Sequence, residues 1–208
     1  MHEMGIPRHA VCNVPFNKKR RVRRLEAQEV SALFNAVEDG PNADIRDIIL
    51  VALFTGVRKT NVLSMRWSDV SLDRGSWLVP AGDSKNSKEL DVILAKPVLE
   101  ILRLRLLSRR GDYVFPGRDG CANQHMTNPS IGWTRILKRA GIESLHMHDL
   151  HRSLASFQID AGTPLEVIQK TLGHESKTTT EIYARMALET VRASVERAAE
   201  DILRAKKG

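Results

Sequence analysis

HDLHRSLASFQIDAGTPLEVIQKTLGHESKTTTEIYARM, residues 148–186, sets histidines, an arginine and one of the chain's two tyrosines in helix-forming sequence. His148, His151 and Arg152 are spaced three and four residues from the first, so on a helix all three share roughly one face. Leu172-Gly173-His174 closes an apolar-periodic segment with glycine at the stop, which puts His174 just past a helix C-terminus. The Ser/Thr-rich run from Ser176 to Thr180 reads as a loop leading into a helix start, and Tyr183 follows on a short element. Histidines, an arginine and a tyrosine gathered in this way suit attack on a phosphate.

Upstream, the pattern is helical and then briefly extended. Val30, Leu33, Phe34 and Val37 recur at helical spacing over Glu26 to Glu38, and Asp39-Gly40-Pro41-Asn42 breaks the segment. Ala43 to Phe54 reads as a more buried helix stopped by Thr55-Gly56, and a third helix runs from near Arg58 to Trp67. Short strands follow at Val70 to Leu72, Trp77 to Pro80 and Leu90 to Leu94, separated by the turn Asp73-Arg74-Gly75 and the polar loop Gly82 to Lys88. Helix returns over Pro97 to Ser108 and Ser130 to Ala140, with Tyr113 to Pro116 a brief extended piece between them. The expectation is an α+β, mostly α fold: a single helical domain with a small three-stranded antiparallel sheet inserted after the third helix.

The composition, 42% hydrophobic and 27% charged over 208 residues, is that of a globular domain with one sizeable core. Its longest apolar run, Ile48 to Phe54, is far shorter than the roughly 17 to 25 residues a membrane-spanning helix needs. No secretory signal is evident at the N-terminus. Cys12 and Cys121 stand apart without metal-ligand or disulfide spacing, which favours a reducing compartment. Within residues 1–24 seven cations, including Lys18, Lys19, Arg20 and Arg21, face Glu3 alone, so almost all of the net charge of +7 sits on an N-terminal arm. Such a block is either a solvated linker or a grip on a polyanion such as DNA.

Three separate pieces resemble one family, the tyrosine recombinases or phage integrases. TGVRKTNVLSMRWSDV places Arg58 directly after a Thr-Gly helix stop, where the family carries its first catalytic arginine. DSKNSKELDVIL places Lys85 between two strands, where the family carries its catalytic lysine. The stretch from His148 matches the family's block of HxxR, LGH and a downstream tyrosine. The resemblance covers roughly Leu25 to Met186. It implies residues 26–208 as a catalytic domain and residues 1–25 as a basic arm or linker. The N-terminal core-binding domain of full family members is not expected before Leu25, which makes the chain a fragment of a longer integrase or a degenerate remnant.

The chemistry explains why these residue types belong together. A phosphodiester is a poor electrophile, so its cleavage requires a positioned nucleophile, neutralised non-bridging oxygens and a proton for the leaving oxygen. The resemblance implies Tyr183 as nucleophile, Arg58 holding phosphate oxygens, Lys85 as general acid, and His148 and His174 as hydrogen-bonding and proton-transfer groups. The ester formed retains the bond energy, so no cofactor is expected, neither ATP nor metal; the histidines likewise lack a zinc-binding pattern. DNA contacts are expected from the arm and from Lys59 and Lys88. Implied partners are double-stranded DNA and further copies of the chain assembled on it, with no membrane. Implied origin is the cytoplasm of a bacterium or phage host, on a mobile element or prophage.

One departure bears on activity. The family's motif puts arginine three residues after the first histidine, and here that residue is His151, with Arg152 its neighbour. Adjacent helix residues diverge by about 100°, yet Arg152 lies four residues from His148 and stays near the same face. Loss of one preorganised donor of this kind costs roughly a hundred- to a thousand-fold in rate. The leading expectation is site-specific DNA cleavage and rejoining, weakened by His151. Its rival is a DNA-binding remnant that occupies sites without cutting. A type IB topoisomerase would share the chemistry, but the LGH block and compact meander favour an integrase. Leu188, Val191, Val195, Ala198, Ile202 and Leu203 form a stripe on a final helix, Leu188 to Leu203, suited either to its own domain or to a neighbouring protomer.

Overall fold

The computed structural model describes residues 23–81, 89–117, 124–173 and 195. Among them seven helices and one sheet follow in order: α1 (Ala27–Glu38), α2 (Ala43–Thr55), α3 (Lys59–Leu63), a 3-10 turn (Trp67–Asp69), β1 (Val70–Ser71), β2 (Ser76–Val79), β3 (Leu90–Ile93), α4 (Lys96–Leu107), α5 (Ser130–Ala140), α6 (Met147–Asp160) and α7 (Leu165–Leu172). The mostly helical α+β architecture, with its sheet after the third helix, is the one expected from sequence. The sheet has order β1-β2-β3 and is antiparallel, with Val70 opposite Trp77 and Trp77 opposite Val92. Its alternation is that of a half-covered sheet: Trp77, Val79 and Val92 are buried while Leu78 and Ile93 face outward.

Helix α2 is the centre of the domain because its sequence is apolar on nearly every side. Ile45, Ile48, Ile49, Val51, Ala52 and Leu53 are all buried, and the helix packs against α1, α4, α5 and α6. Asn42 starts it by accepting a hydrogen bond from the Ile45 amide at 3.1 Å. Gly56 stops it in the left-handed conformation, at φ 62°. A Cβ at Gly56 would lie 2.9 Å from methyls of both Leu154 of α6 and Leu172 of α7, so those side chains would have to shift in addition to the cost of φ. Helix α7 ends in the same way at Gly173, φ 61°, where a Cβ would meet Leu90 of β3 at 2.9 Å.

Two boundaries differ from the sequence expectation. Helix α3 ends at Leu63 rather than Trp67, because the next residues pair with a distant segment: the Val114 amide donates to Met65 and the Trp67 amide donates to the Asp112 carbonyl, each at 2.9 Å. An extended bridge between Arg66 and Tyr113 lies between them. At the other end, folded structure begins before Glu26. Leu25 is 2% exposed within the core, and its amide donates to Ser153 Oγ of α6 at 2.8 Å. Arg23 forks onto Glu29 at 2.8 and 2.5 Å, and that guanidinium holds the Glu29 carboxyl below its usual range.

A partly buried charge cluster joins α2 to α4. Arg105 donates to Asp44 at 2.6 Å, to Asp47 at 2.9 Å and to the Val114 carbonyl at 3.1 Å, while its guanidinium lies over the Phe115 ring. Asp47 is almost fully buried, so the pair is compensated by geometry rather than by water. Among the described residues no helix is long and apolar enough to cross a membrane. The expected final helix, Leu188 to Leu203, lies outside the described residues except for Val195, which is helical and exposed.

Candidate active site

The C-terminal stop of α2 delivers the first cation. Thr55 Oγ1 donates to the Val51 carbonyl at 2.6 Å and accepts from the Val57 amide at 3.3 Å, so the chain turns tightly through Gly56. Val57 is buried beneath the turn, and Arg58 emerges in extended conformation as the residue that caps α3. The start of α6 provides the facing groups. His146 caps that helix with a reciprocal arrangement in which Asp149 Oδ2 accepts from the His146 amide at 2.8 Å. His146, Met147 and His148 therefore project from a fixed helix start.

Arg58, Lys59 and Thr60 from one side and His146, Met147 and His148 from the other enclose a cleft of about 470 Å³. Ser130 and Trp133 of α5 complete the wall, with Trp133 held by its indole N–H donating to the Leu145 carbonyl at 3.2 Å. Two arginine- and lysine-bearing positions and two imidazoles around a small open volume suit a tetrahedral oxyanion. His148 stands at the mouth, yet its pKa is lowered, first by desolvation where protein surrounds the ring and then by the charge of Arg152. Asp149 opposes the shift and Arg58 adds to it. His148 is thus held neutral near pH 7, with one ring nitrogen to donate and one to accept.

Of the residues expected from sequence, Arg58, Lys59 and His148 meet in this cleft. His151 does not line it. The ring is buried, at 5% exposure, and its Nδ1–H donates to the carbonyl of Gly56. It stacks nearly parallel to His148, with centroids 5.9 Å apart. Arg152 is partly exposed and donates from Nη1 to Asp149 Oδ1 at 3.3 Å. Lys85, His174 and Tyr183 lie outside the described residues, as do Lys18, Lys19, Arg20, Arg21 and Lys88. The sequence reading missed Thr60, Ser130 and His146 as cleft residues. Each opens a helix or sits in its first turn, but which helix starts meet is decided by tertiary packing.

Comparison with known proteins gives a consistent result. The model of the phage integrase family matches residues 23–189. The integrase of Salmonella phage P22 is 27% identical over 188 residues, covering 85% of this chain and 47% of that protein. The tyrosine recombinase XerA of Pyrococcus furiosus is 30% identical over 184 residues, covering 85% of this chain and 62% of the relative. The chain therefore spans between about half and two thirds of the length of these curated relatives. A crystal structure of XerA recombinase superposes with a TM-score of 0.67 at 26% identity, over 83% of this chain and 63% of that one.

Proposed function

Because the chain belongs to the phage integrase family, its model covering residues 23–189, we propose that it cleaves and rejoins double-stranded DNA at a specific site through a 3′-phosphotyrosine intermediate. The observation that carries this reading is the convergence of Arg58 and a neutral His148 on one cleft from two helix ends. In the proposed reaction the Tyr183 oxygen attacks phosphorus, the bond to the 5′ oxygen breaks, and Lys85 gives that oxygen its proton. Arg58 holds the non-bridging oxygens through its planar fork, and His148 and His174 hydrogen-bond the phosphate and assist proton transfer. Rejoining is the reverse displacement by a 5′ hydroxyl, so energy is conserved in the ester and no cofactor is invoked.

The partner in this reading is duplex DNA, gripped by Lys59 in the cleft and by Lys18, Lys19, Arg20, Arg21 and Lys88, with copies of the chain assembling on it. Carriage on a mobile element or prophage and a cytoplasmic location fit the same reading. His151 at the second arginine position makes the proposed enzyme slower than one with arginine there, since its ring is committed to a backbone carbonyl. The same observation favours a second reading, a family member that binds DNA and does not cut. A duplex nicked near the cleavage site distinguishes them. Strand cleavage predicts a covalent protein–DNA complex that disappears in Tyr183→Phe, whereas salt-sensitive binding with no adduct supports the second reading.

A further inference from the structure

We infer that Arg152 supplies the second guanidinium of the phosphate site, and that His151 is a positioning residue fastening the Arg58 turn to α6. The inference rests on the strand-cleavage reading and deepens it, reassigning two neighbouring roles in this chain.

Side chains on a helix lean toward its N-terminus, and the N-terminus of α6 is the part that lines the cleft. Arg152 follows that direction and is tied there. Its guanidinium meets Asp149, one turn nearer the helix start, and Asp149 is 2% exposed with its other oxygen fixed on the His146 amide. A buried, doubly engaged carboxylate is a rigid anchor, so Arg152 is held toward His146 and His148 rather than sweeping through solvent. The charge of Arg152 is felt inside the site as well: it and Arg58 both act against protonation of His148. Arg58 lines the cleft with His148, and Arg152, outside that lining, is anchored on Asp149, the neighbour of His148.

His151 has been withdrawn from that task. A carbonyl can only accept, so the Nδ1 of His151 carries the hydrogen and spends it on Gly56. In the neutral ring the remaining nitrogen is an acceptor, which repels a phosphate oxygen. What the contact does achieve is mechanical. Gly56 lies two residues before Arg58, at a turn held by the left-handed conformation and by the close approach of Leu154 and Leu172. The His151 ring joins the carbonyl of that turn directly to α6, fixing the distance between the element that carries Arg58 and the element that carries His148 and Arg152.

The test uses the whole chain, a nicked duplex for covalent trapping, and an intact duplex for binding across a salt series. Arg152→Ala is expected to slow trapping by roughly a hundred-fold or more, and to reduce the slope of log affinity against log salt by about one. Arg152→Lys is expected to keep the salt slope and lose most of the trapping rate, because a point charge replaces a fork. For the fastening role, His151→Asn keeps a donor near the Nδ1 position and is expected to retain trapping, while His151→Leu loses it. An Arg152→Ala protein with unchanged trapping and unchanged slope overturns the assignment of Arg152, and equal loss in the Asn and Leu variants overturns that of His151. If the unaltered chain traps no adduct, the cleavage reading fails by itself; the salt slope then decides Arg152, an unchanged slope overturning it. Chemical shifts of the Arg58 backbone then decide His151: movement in the Leu variant and not in the Asn variant supports the fastening, and no difference overturns it.

Discussion

Replacing Gly56 with alanine tests whether the turn that presents Arg58 is as tightly constrained as the packing indicates. Two costs add at this position. An L-residue in the left-handed region costs about 1–2 kcal/mol. The new Cβ would also stand 2.9 Å from a methyl of Leu154 and 2.9 Å from one of Leu172, closer than carbon atoms pack, and relief by overpacking costs a further ~1–3 kcal/mol. The sum, roughly 2–5 kcal/mol, corresponds to a fall in Tm of roughly 4–20 °C for a domain of this size. Gly162 provides the internal control, since it also has positive φ, 78°, but a Cβ there would meet nothing within 4 Å. Gly162→Ala should therefore show only the conformational cost of about 1–2 kcal/mol. Urea denaturation of both variants, with trapping on the nicked duplex measured under native conditions, reads stability and site geometry separately. Equal destabilisation of the two variants would refute the packing account, and a stable Gly56→Ala protein with full trapping would refute the claim that this turn sets the Arg58 position.

Other outcomes follow from particular contacts. Arg105→Met strips the partner from Asp47 Oδ2 while Arg46 stays on Oδ1, and is expected to destabilise the fold by about 1–3 kcal/mol in denaturant titration, with no change in the salt slope of DNA binding if Arg105 is purely structural. Ser153→Ala removes the acceptor for the buried Leu25 amide and should cost about 1–3 kcal/mol, whereas deletion of residues 1–22 should leave the melting transition in place and weaken DNA binding most at low salt. The His148 ring should titrate below the ordinary imidazole value near 6.5 when followed by NMR, and Arg152→Ala should move its midpoint upward. Because the folded pKa is the lower one, the unfolded chain takes up this proton first as pH falls. The stabilising contribution of the neutral ring is accordingly present above about 6.5 and lost as pH drops through that value toward the folded midpoint.

Where structure follows from neighbours in sequence, it was legible beforehand. Gly56 and Gly173 close α2 and α7, the break at Asp39 to Asn42 precedes α2, and alternation over Leu90 to Leu94 marks β3; each signal acts over a few residues. Long-range pairing was not. Nothing local in Ser64 to Trp67 shows that their backbone prefers residues 112–114 to another helical turn, and nothing in Leu25 shows that a hydroxyl 128 residues away will satisfy its amide. Arg58 and His148 could be placed in one site because the motifs around them resemble those of the tyrosine recombinases, and Lys59 beside Arg58 was expected to contact DNA. Ser130 and His146 reach the same cleft only through tertiary packing.

His151 shows why spacing alone is insufficient to assign a role. Helical geometry gives its direction relative to His148, and the family pattern gives the function formerly expected at that position, but neither reveals that a carbonyl from α2 will claim its only neutral-state donor. Once that donor is committed, the charge requirement of the phosphate must be met elsewhere or the reaction must slow. Asp149 offers the means, since it is buried, lies on the same helix, and meets Arg152 one turn from the cleft. His151→Arg alone should consequently give no gain in trapping, because it adds a guanidinium to a site that already has a second one and gives up the contact with Gly56. A gain would mean that Arg152 stays on Asp149 during the reaction and that the phosphate is held by Arg58 without it.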